Sequence, residues 1–571
     1  MMHRVRVAAA LALALSSVSS VSSIRAAEEK PAAAEAKGEE FADIQNKITS
    51  FKLDNGLTII LYARGAAPVI SCVTYVKTGS VDEHVGITGL AHQLEHLAFK
   101  GTPTVGTRNF AAEQTAVAEI DKLYDQIQAF EQKVPAEMRD GFLSLLAQVT
   151  STGGNPEAYA KNVDALTAKW AKDGVTLKDE DKAQLGVLVR TFAEKVKNAE
   201  QYVEQNQYSN IIDRNGGSGL NAFTSDDCTV YHVSLPANKL ELWAALESDR
   251  YMNTFPRQLE KEKQVVLEER RMRTDSSPFG KLYESFLAAA YQAHPYGTAV
   301  IGHRSDILEY SREKVMKFYR AHYIPSQTIV AIVGDIDVAA AKTMLTSYFG
   351  RIPSAPEPEK LVTVEPAQEG ERRLEIEFPA QPILMVGFHV PERNHPDNPA
   401  LTVLDEVATS GRASRMYARL VKTRKANSVG SWMGPGSRYP RIFFFTAEPS
   451  EAGSADELEA NLENGIEELR SEAPTTEDLQ RVVTRYRADV LRQLRSNMGL
   501  AQQLSEYQAL TGDWHDLFKE IQQISAVTPA QVQAVAQKYF TKKNRTVGRI
   551  VNSSGKDAAA ETETILGIPV K

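Results

Sequence analysis

YSREKVMKFYRAHYIPSQTIVAIV, residues 310–333, and VTPAQVQAVAQKYFTKKNRTVGRIV, residues 527–551, are two versions of one pattern. Each spaces apolar residues as a helix does, breaks at a short turn and closes on a β-branched run suited to a buried strand. Val315 and Val532, Tyr323 and Phe540, and Val330 and Val547 fall in register. The repeat predicts a duplicated domain. Its first copy spans 45–350 and its second 370–552, joined over 351–369 by Pro- and Glu-rich sequence (RIPSAPEPEKLVTVEPAQEG) of linker composition.

The first copy opens on two β-branched runs, LTIILYA and VISCVTYVKTG, with Asp54-Asn55-Gly56 as a tight turn before them. Residues 112–208 change character, being rich in Ala, Glu, Lys and Gln at helical spacing with few strand formers, and predict a helical insertion. The RNGGSG stretch beginning at Arg214 marks a flexible junction into LNAFTSDDCTVYHVSLP, which has strand character.

At 571 residues the chain is too long for one core, and 43% hydrophobic with 24% charged residues predicts folded domains. The formal charge of −8, with no basic block interleaved with aromatics, argues against nucleic acid as a partner. Arg4 and Arg6, the apolar run Val7 to Leu15 and Ser-rich sequence to Ala26-Ala27, with no acid before Glu28, form a secretory signal pattern over 1–27. Export, to a bacterial periplasm, is the expectation; a mitochondrial transit peptide, with a matrix location, is the competing reading. A flexible segment is expected over 28–44 and a tail over 553–571. No later run approaches the about 20 apolar residues of a transmembrane segment. Cys72 and Cys228 allow at most one bridge and read as small buried strand residues.

The chemistry is concentrated in GLAHQLEHLAFKGT, residues 89–102. In a helix His92 and His96 lie one above the other on one face and can present both imidazoles to one ion. Neutral imidazole suits zinc, and a catalytic zinc has three protein ligands and one open position. Glu95 stands beside the ion without being forced to bind it, as a general base acting on the attacking water should. A third ligand must come from a distance. In QLEKEKQVVLEERRMR, Glu262 and Glu269 are two helical turns apart on one face, whereas Glu268 shares its face with Lys261, a poor neighbour for a cation. Glu269 is therefore the expected ligand and Glu262 a carboxylate supporting the site from behind.

His-x-x-Glu-His inverts the usual zinc-protease order, as in the inverzincins. With LNAFTSDDCTVY and EKEKQVVLEE, the motif resembles the pitrilysin or insulinase family of zinc metallopeptidases, most closely the bacterial branch related to the mitochondrial processing peptidase. The resemblance implies an α+β fold of two homologous domains, each an antiparallel-rich sheet with helices on one face, closing as a clamshell on unfolded peptide. It implies one Zn2+ per chain on His92, His96 and Glu269, with Glu95 as base. It also implies that LNAFT is an edge strand to which an extended substrate adds by backbone hydrogen bonds, through Asn221, Ala222 and Phe223.

Two departures from the family pattern stand out. The insertion separates His96 from Glu269 by much more than the family does, so the third ligand rests on local sequence. Aligning Gly89-Leu90 with Ala400-Leu401 sets Val403 and Val407 opposite His92 and His96, and Glu406 opposite Glu95, so the second copy lacks metal ligands. The Arg and Tyr with which family members hold the substrate carbonyl are missing from ARLVKTRKANSVGS, where Val421 takes the Arg position and Arg424 is a weak substitute. The expectation is a zinc endopeptidase acting on extended peptides, paired as a homo- or hetero-oligomer with a homologous subunit. The alternative is a non-catalytic peptide-binding or assembly subunit of the same fold.

Overall fold

The computed structural model describes residues 39–135, 138–139, 141–145, 156–172, 174, 176–450 and 454–553. The expected leader, most of the 28–44 segment and all but the first residue of the 553–571 tail lie outside the described residues. Where the 28–44 segment is described it is helical: Glu39–Lys47 (EEFADIQNK) forms one helix rather than a loose strand of chain. Two compact units divide the chain, Met1–Ile48 and Thr49–Lys571. The chemistry lies in the second.

That unit is built on two sheets. The strands are β1 (Ile48–Lys52), β2 (Thr58–Ala63), β3 (Val69–Val76), β4 (Ser218–Thr224), β5 (Thr229–Pro236), β6 (Thr328–Gly334), β7 (Arg372–Phe378), β8 (Ile383–Val390), β9 (Ala426–Gly434), β10 (Arg441–Pro449) and β11 (Arg545–Asn552). One sheet runs β1-β2-β6-β3-β5-β4, the other β7-β11-β8-β10-β9. Leaving out β1, the two orders are the same order, down to a single parallel pair in each, β2 with β6 and β7 with β11. The repeated segments end in β6 and β11, which occupy equivalent interior slots.

The turn at Asp54-Asn55-Gly56 leads from β1 into β2, with Gly56 at a φ of 99°. β2 and β3, consecutive in sequence, are not partners, because β6 lies between them. TIVAIVG in β6 is buried at every position, and a strand with no wet face needs a neighbour on each side.

Each sheet packs its own helices on one face. The other face is covered by a helix from the opposite half: Pro278–Ala290 lies on β7, β8 and β11, and Asn497–Thr511 lies on β3, β5 and β6. The first of these contacts forms a mixed core of Leu282, Phe286, Leu287 and Ala290 with Met385, Ile442, Phe444 and Ile550. Gly387 leaves the room for it, since a Cβ there would lie 2.8 Å from Cζ of Phe286.

Among the described residues, the chain between the first sheet's β3 and β4 beyond position 109 is helical, in Phe110–Glu131, Pro156–Lys172, Asp179–Glu200 and Gln207–Arg214. The first three bury a core of their own, including Ile127, Phe130, Leu166, Trp170, Leu185 and Phe192. Tyr208 and Ile212 of the fourth instead join the core under the first sheet.

Candidate metal centre and catalytic site

The helix Leu90–Ala98 carries the histidine motif, and its start is fixed by two devices. Gly89 adopts a φ of 85°, which a side chain would strain and where a Cβ would strike the Ile301 carbonyl at 2.5 Å. Glu83 accepts hydrogen bonds from the backbone N–H of Gly89 at 2.6 Å and of Ala91 at 2.7 Å. A carboxylate on the free amides of a first helical turn is favoured by their exposed partial charge. The helix is thereby held against β4, β5 and the helix Leu259–Arg270.

His92 and His96 face one direction, their ring centroids 4.8 Å apart and their planes at 83°. Glu269, at the end of the helix Leu259–Arg270, meets both: Oε1 is 3.7 Å from Nε2 of His92 and Oε2 is 3.5 Å from Nε2 of His96. One ligand atom from each of the three residues can be chosen so that all lie within 4.8 Å of one another. Glu268 points elsewhere, to the exposed guanidinium of Arg271 at 2.5 Å.

A second layer of partners surrounds this trio. Glu262 places Oε2 3.5 Å from Nδ1 of His96, and its Oε1 is 2.5 Å from Nζ of Lys100. Arg273, on the wider π-type turn Arg271–Asp275, holds Oε1 of Glu269 at 2.6 Å. Glu95 is buried, and the Thr224 hydroxyl donates to its Oε2 at 2.8 Å. Nδ1 of His92 is buried with no hydrogen-bond partner among the described residues.

The electrostatics follow from that geometry. Burial, reinforced by neighbouring His96, pulls His92 down to about 4 and keeps it neutral at neutral pH. Burial also opposes charge on His96, but hydrogen bonds to Glu262 and Glu269 outweigh it and raise His96 to about 9. Glu269 is held down at about 2, because His96, His92 and Arg273 overcome the effect of its burial. Burial raises Glu95 above the usual carboxylate range despite His96 and the Thr224 hydroxyl.

A divalent cation fits this arrangement. Two imidazole nitrogens and a carboxylate oxygen are a zinc-type donor set, and one histidine is already neutral. Three carboxylates, Glu95, Glu262 and Glu269, surround the other, so the pocket favours positive charge.

Asn221, Ala222 and Phe223 lie on β4, the outermost strand of its sheet, so among the described residues one backbone edge of that strand has no partner strand. Asn221 and Phe223 are exposed, and Ala222 packs toward the core. Thr224, Lys100, Arg273 and Glu83 were not anticipated from sequence. Thr224 had a readable signal: in LNAFT the period of two puts Leu220, Ala222 and Thr224 on one face, and Leu220 and Ala222 pack on the core that includes the motif helix.

In the second half, the helix Asn398–Thr409 occupies the place of the motif helix after β8. Val403 and Val407 are buried in its core, and Oε2 of Glu406 is buried without a partner among the described residues. Val421 is half-buried and Arg424 exposed just ahead of β9. Cys72 and Cys228 are buried and unpaired with each other.

The insulinase (peptidase family M16) family model matches residues 59–152 and 193–304, and the model described as the peptidase M16 inactive domain matches residues 309–486. The chain belongs to the insulinase family of zinc peptidases. The two matched stretches of the insulinase family model are separated by 153–192, inside the helical insertion. Zinc protease PqqE of Helicobacter pylori is 28% identical over 58% of this chain and 76% of its own length. A probable mitochondrial-processing peptidase subunit beta of Schizosaccharomyces pombe is 23% identical over 60% of this chain and 77% of its own. In structure, a protease from Helicobacter pylori shares the fold, with a TM-score of 0.67 over 88% of this chain and 99% of that one at 23% identity. Among the described residues of this insulinase-family chain, no helix is long and apolar enough to cross a membrane.

Proposed function

We propose that the protein is a zinc-dependent endopeptidase that hydrolyses extended peptides, with one zinc ion held by His92, His96 and Glu269. The observation that carries this reading is the convergence of those three side chains from two helices, with the buried carboxylate of Glu95 alongside. Zinc bound there would supply Lewis acidity toward water and the scissile carbonyl. Glu95 takes a proton from the attacking water and passes it to the departing amine nitrogen; its raised affinity for protons suits both transfers. Lys100 and Glu262 orient His96, and Arg273 orients Glu269. The outer edge of β4 at Asn221, Ala222 and Phe223, unpaired among the described residues, receives the substrate backbone as an added strand, a mode that tolerates many sequences.

The second half brings neither metal ligands nor the expected Arg and Tyr, and one relative is named as a subunit. Both points support a homologous partner chain. The sequence of residues 1–27 supports export to the periplasm. In a cleavage assay with a short internally quenched peptide, Glu95→Gln should lower kcat by on the order of 10²–10⁴-fold with zinc still bound. Unchanged cleavage by that variant would sink the mechanism. His92→Ala that still holds stoichiometric zinc by metal analysis would overturn the ligand assignment.

A further inference from the structure

The edge strand and the base are joined by a single side chain. Thr224 is the last residue of β4, and its hydroxyl donates to Oε2 of Glu95 at 2.8 Å. β4 pairs with β5 at Asn221, Ala222, Phe223 and Thr224, with an irregularity between Ser218 and Asn221, so the regular part of this edge ends at the residue that touches Glu95. The strand is fixed from the other direction too. Its following turn carries Asp227, whose carboxylate accepts from the N–H of Ser437 at 2.5 Å and of Arg438 at 3.0 Å, and from the Tyr296 hydroxyl at 2.5 Å. β4 therefore ends between a rigid turn and the motif helix.

A carboxylate has two oxygens, and a free glutamate side chain samples several rotamers. With Oε2 held by Thr224, Glu95 is limited to orientations that leave Oε1 for a proton. We infer that Thr224 is a positioning residue that fixes the Glu95 carboxylate, so that a peptide laid along β4 is registered against a base already in its working orientation. This rests on the endopeptidase reading above. It assigns the hydroxyl, not the strand, as the element that couples substrate pairing to proton transfer.

Thr224→Val keeps the shape and β-propensity of the residue and removes only the hydroxyl; Thr224→Ser restores the hydroxyl. With the zinc-loaded full-length chain and a quenched peptide, Thr224→Val should lose about tenfold or more in kcat, misplacement of a catalytic group being that costly, with KM and zinc stoichiometry unchanged. Thr224→Ser should recover most of that loss, and Thr224→Ala should behave as Thr224→Val does. A readout independent of turnover is the crystal structure of the metal-free Thr224→Val chain, in which the Glu95 carboxylate should leave its single position while Asn221 to Phe223 stay in register. An unchanged kcat, a loss carried by KM, a serine variant no better than valine, or an unmoved Glu95 each overturns the inference. Glu95→Gln separates the two readings: if it is silent the peptidase mechanism fails, and if it is inactive while Thr224→Val is not, only the positioning role fails.

Discussion

Asp226 lies buried next to Asp227, its carboxylate accepting from the Ser80 hydroxyl at 3.3 Å, and burial together with its neighbour's charge raises it to about 7. A carboxyl whose affinity for protons is higher folded than unfolded favours the fold below its unfolded value near 3.8 and loses that contribution as pH rises through 7. The chain should therefore lose stability between pH 4 and pH 7 from this residue, by an order of about 2–4 kcal/mol. Asp226→Asn keeps an acceptor for Ser80 and removes the charge, so its melting temperature at pH 8 should exceed the parent's, with the difference vanishing toward pH 4. Glu262 offers a second prediction at this scale. Glu262→Gln should weaken zinc binding by about 10–100-fold in chelator competition, as loss of a ligand's outer partner does. The residues brought together at the centre were legible because helical spacing alone aligns His92 with His96 and Glu262 with Glu269. Lys100 and Arg273 were not, because each acts only through a neighbour that the fold supplies; Thr224 showed only the face it shares with Leu220 and Ala222, not the carboxylate it meets.

At the scale of elements, the helical insertion could be read from composition, but its attachment could not. Phe110–Glu131 is fastened to the first half by Arg257, whose guanidinium grips the Glu113 carboxylate at 2.5 and 2.9 Å, both side chains being 1% exposed. The same guanidinium also donates to the carbonyls of Lys100, Thr102 and Val105. The loop after the motif helix and the insertion are thus tied to one arginine. Arg257→Met strands a buried carboxylate, and should cost about 3–5 kcal/mol in denaturant unfolding. Glu113→Leu in the same chain should return part of that loss, because an apolar pair leaves no charge uncompensated. The place of β6 was hidden for a related reason. Its full burial showed in TIVAIVG, but which strands it separates depends on pairings between segments far apart in the chain.

At the scale of the whole molecule, the duplication was readable from two stretches of sequence, whereas the exchange of helices between the copies was not. A period of apolar residues shows that Pro278–Ala290 has a face to bury; it does not show whose sheet will receive it. The structure gives that face to β7, β8 and β11, and gives the matching helix Asn497–Thr511 to β3, β5 and β6. Each half closes a core on one face of its sheet and leaves the other face to a helix of its counterpart. Cut in the linker, the first half would expose Leu282, Phe286 and Leu287, all fully buried in the intact chain, and the second would uncover Met385, Phe444 and Ile550. Each such side chain loses about 1.5–3 kcal/mol of burial, so three on each side approach the whole stability of an ordinary domain. Residues 45–350 and 370–552 expressed separately should lack the near-ultraviolet dichroism of a packed core and should associate into aggregates on size exclusion. Expressed together as two chains, they should recover one complex with native dichroism. Independent folding of either fragment to a sharp thermal transition would show that the exchanged helices are an ornament of the duplication and not its structural basis.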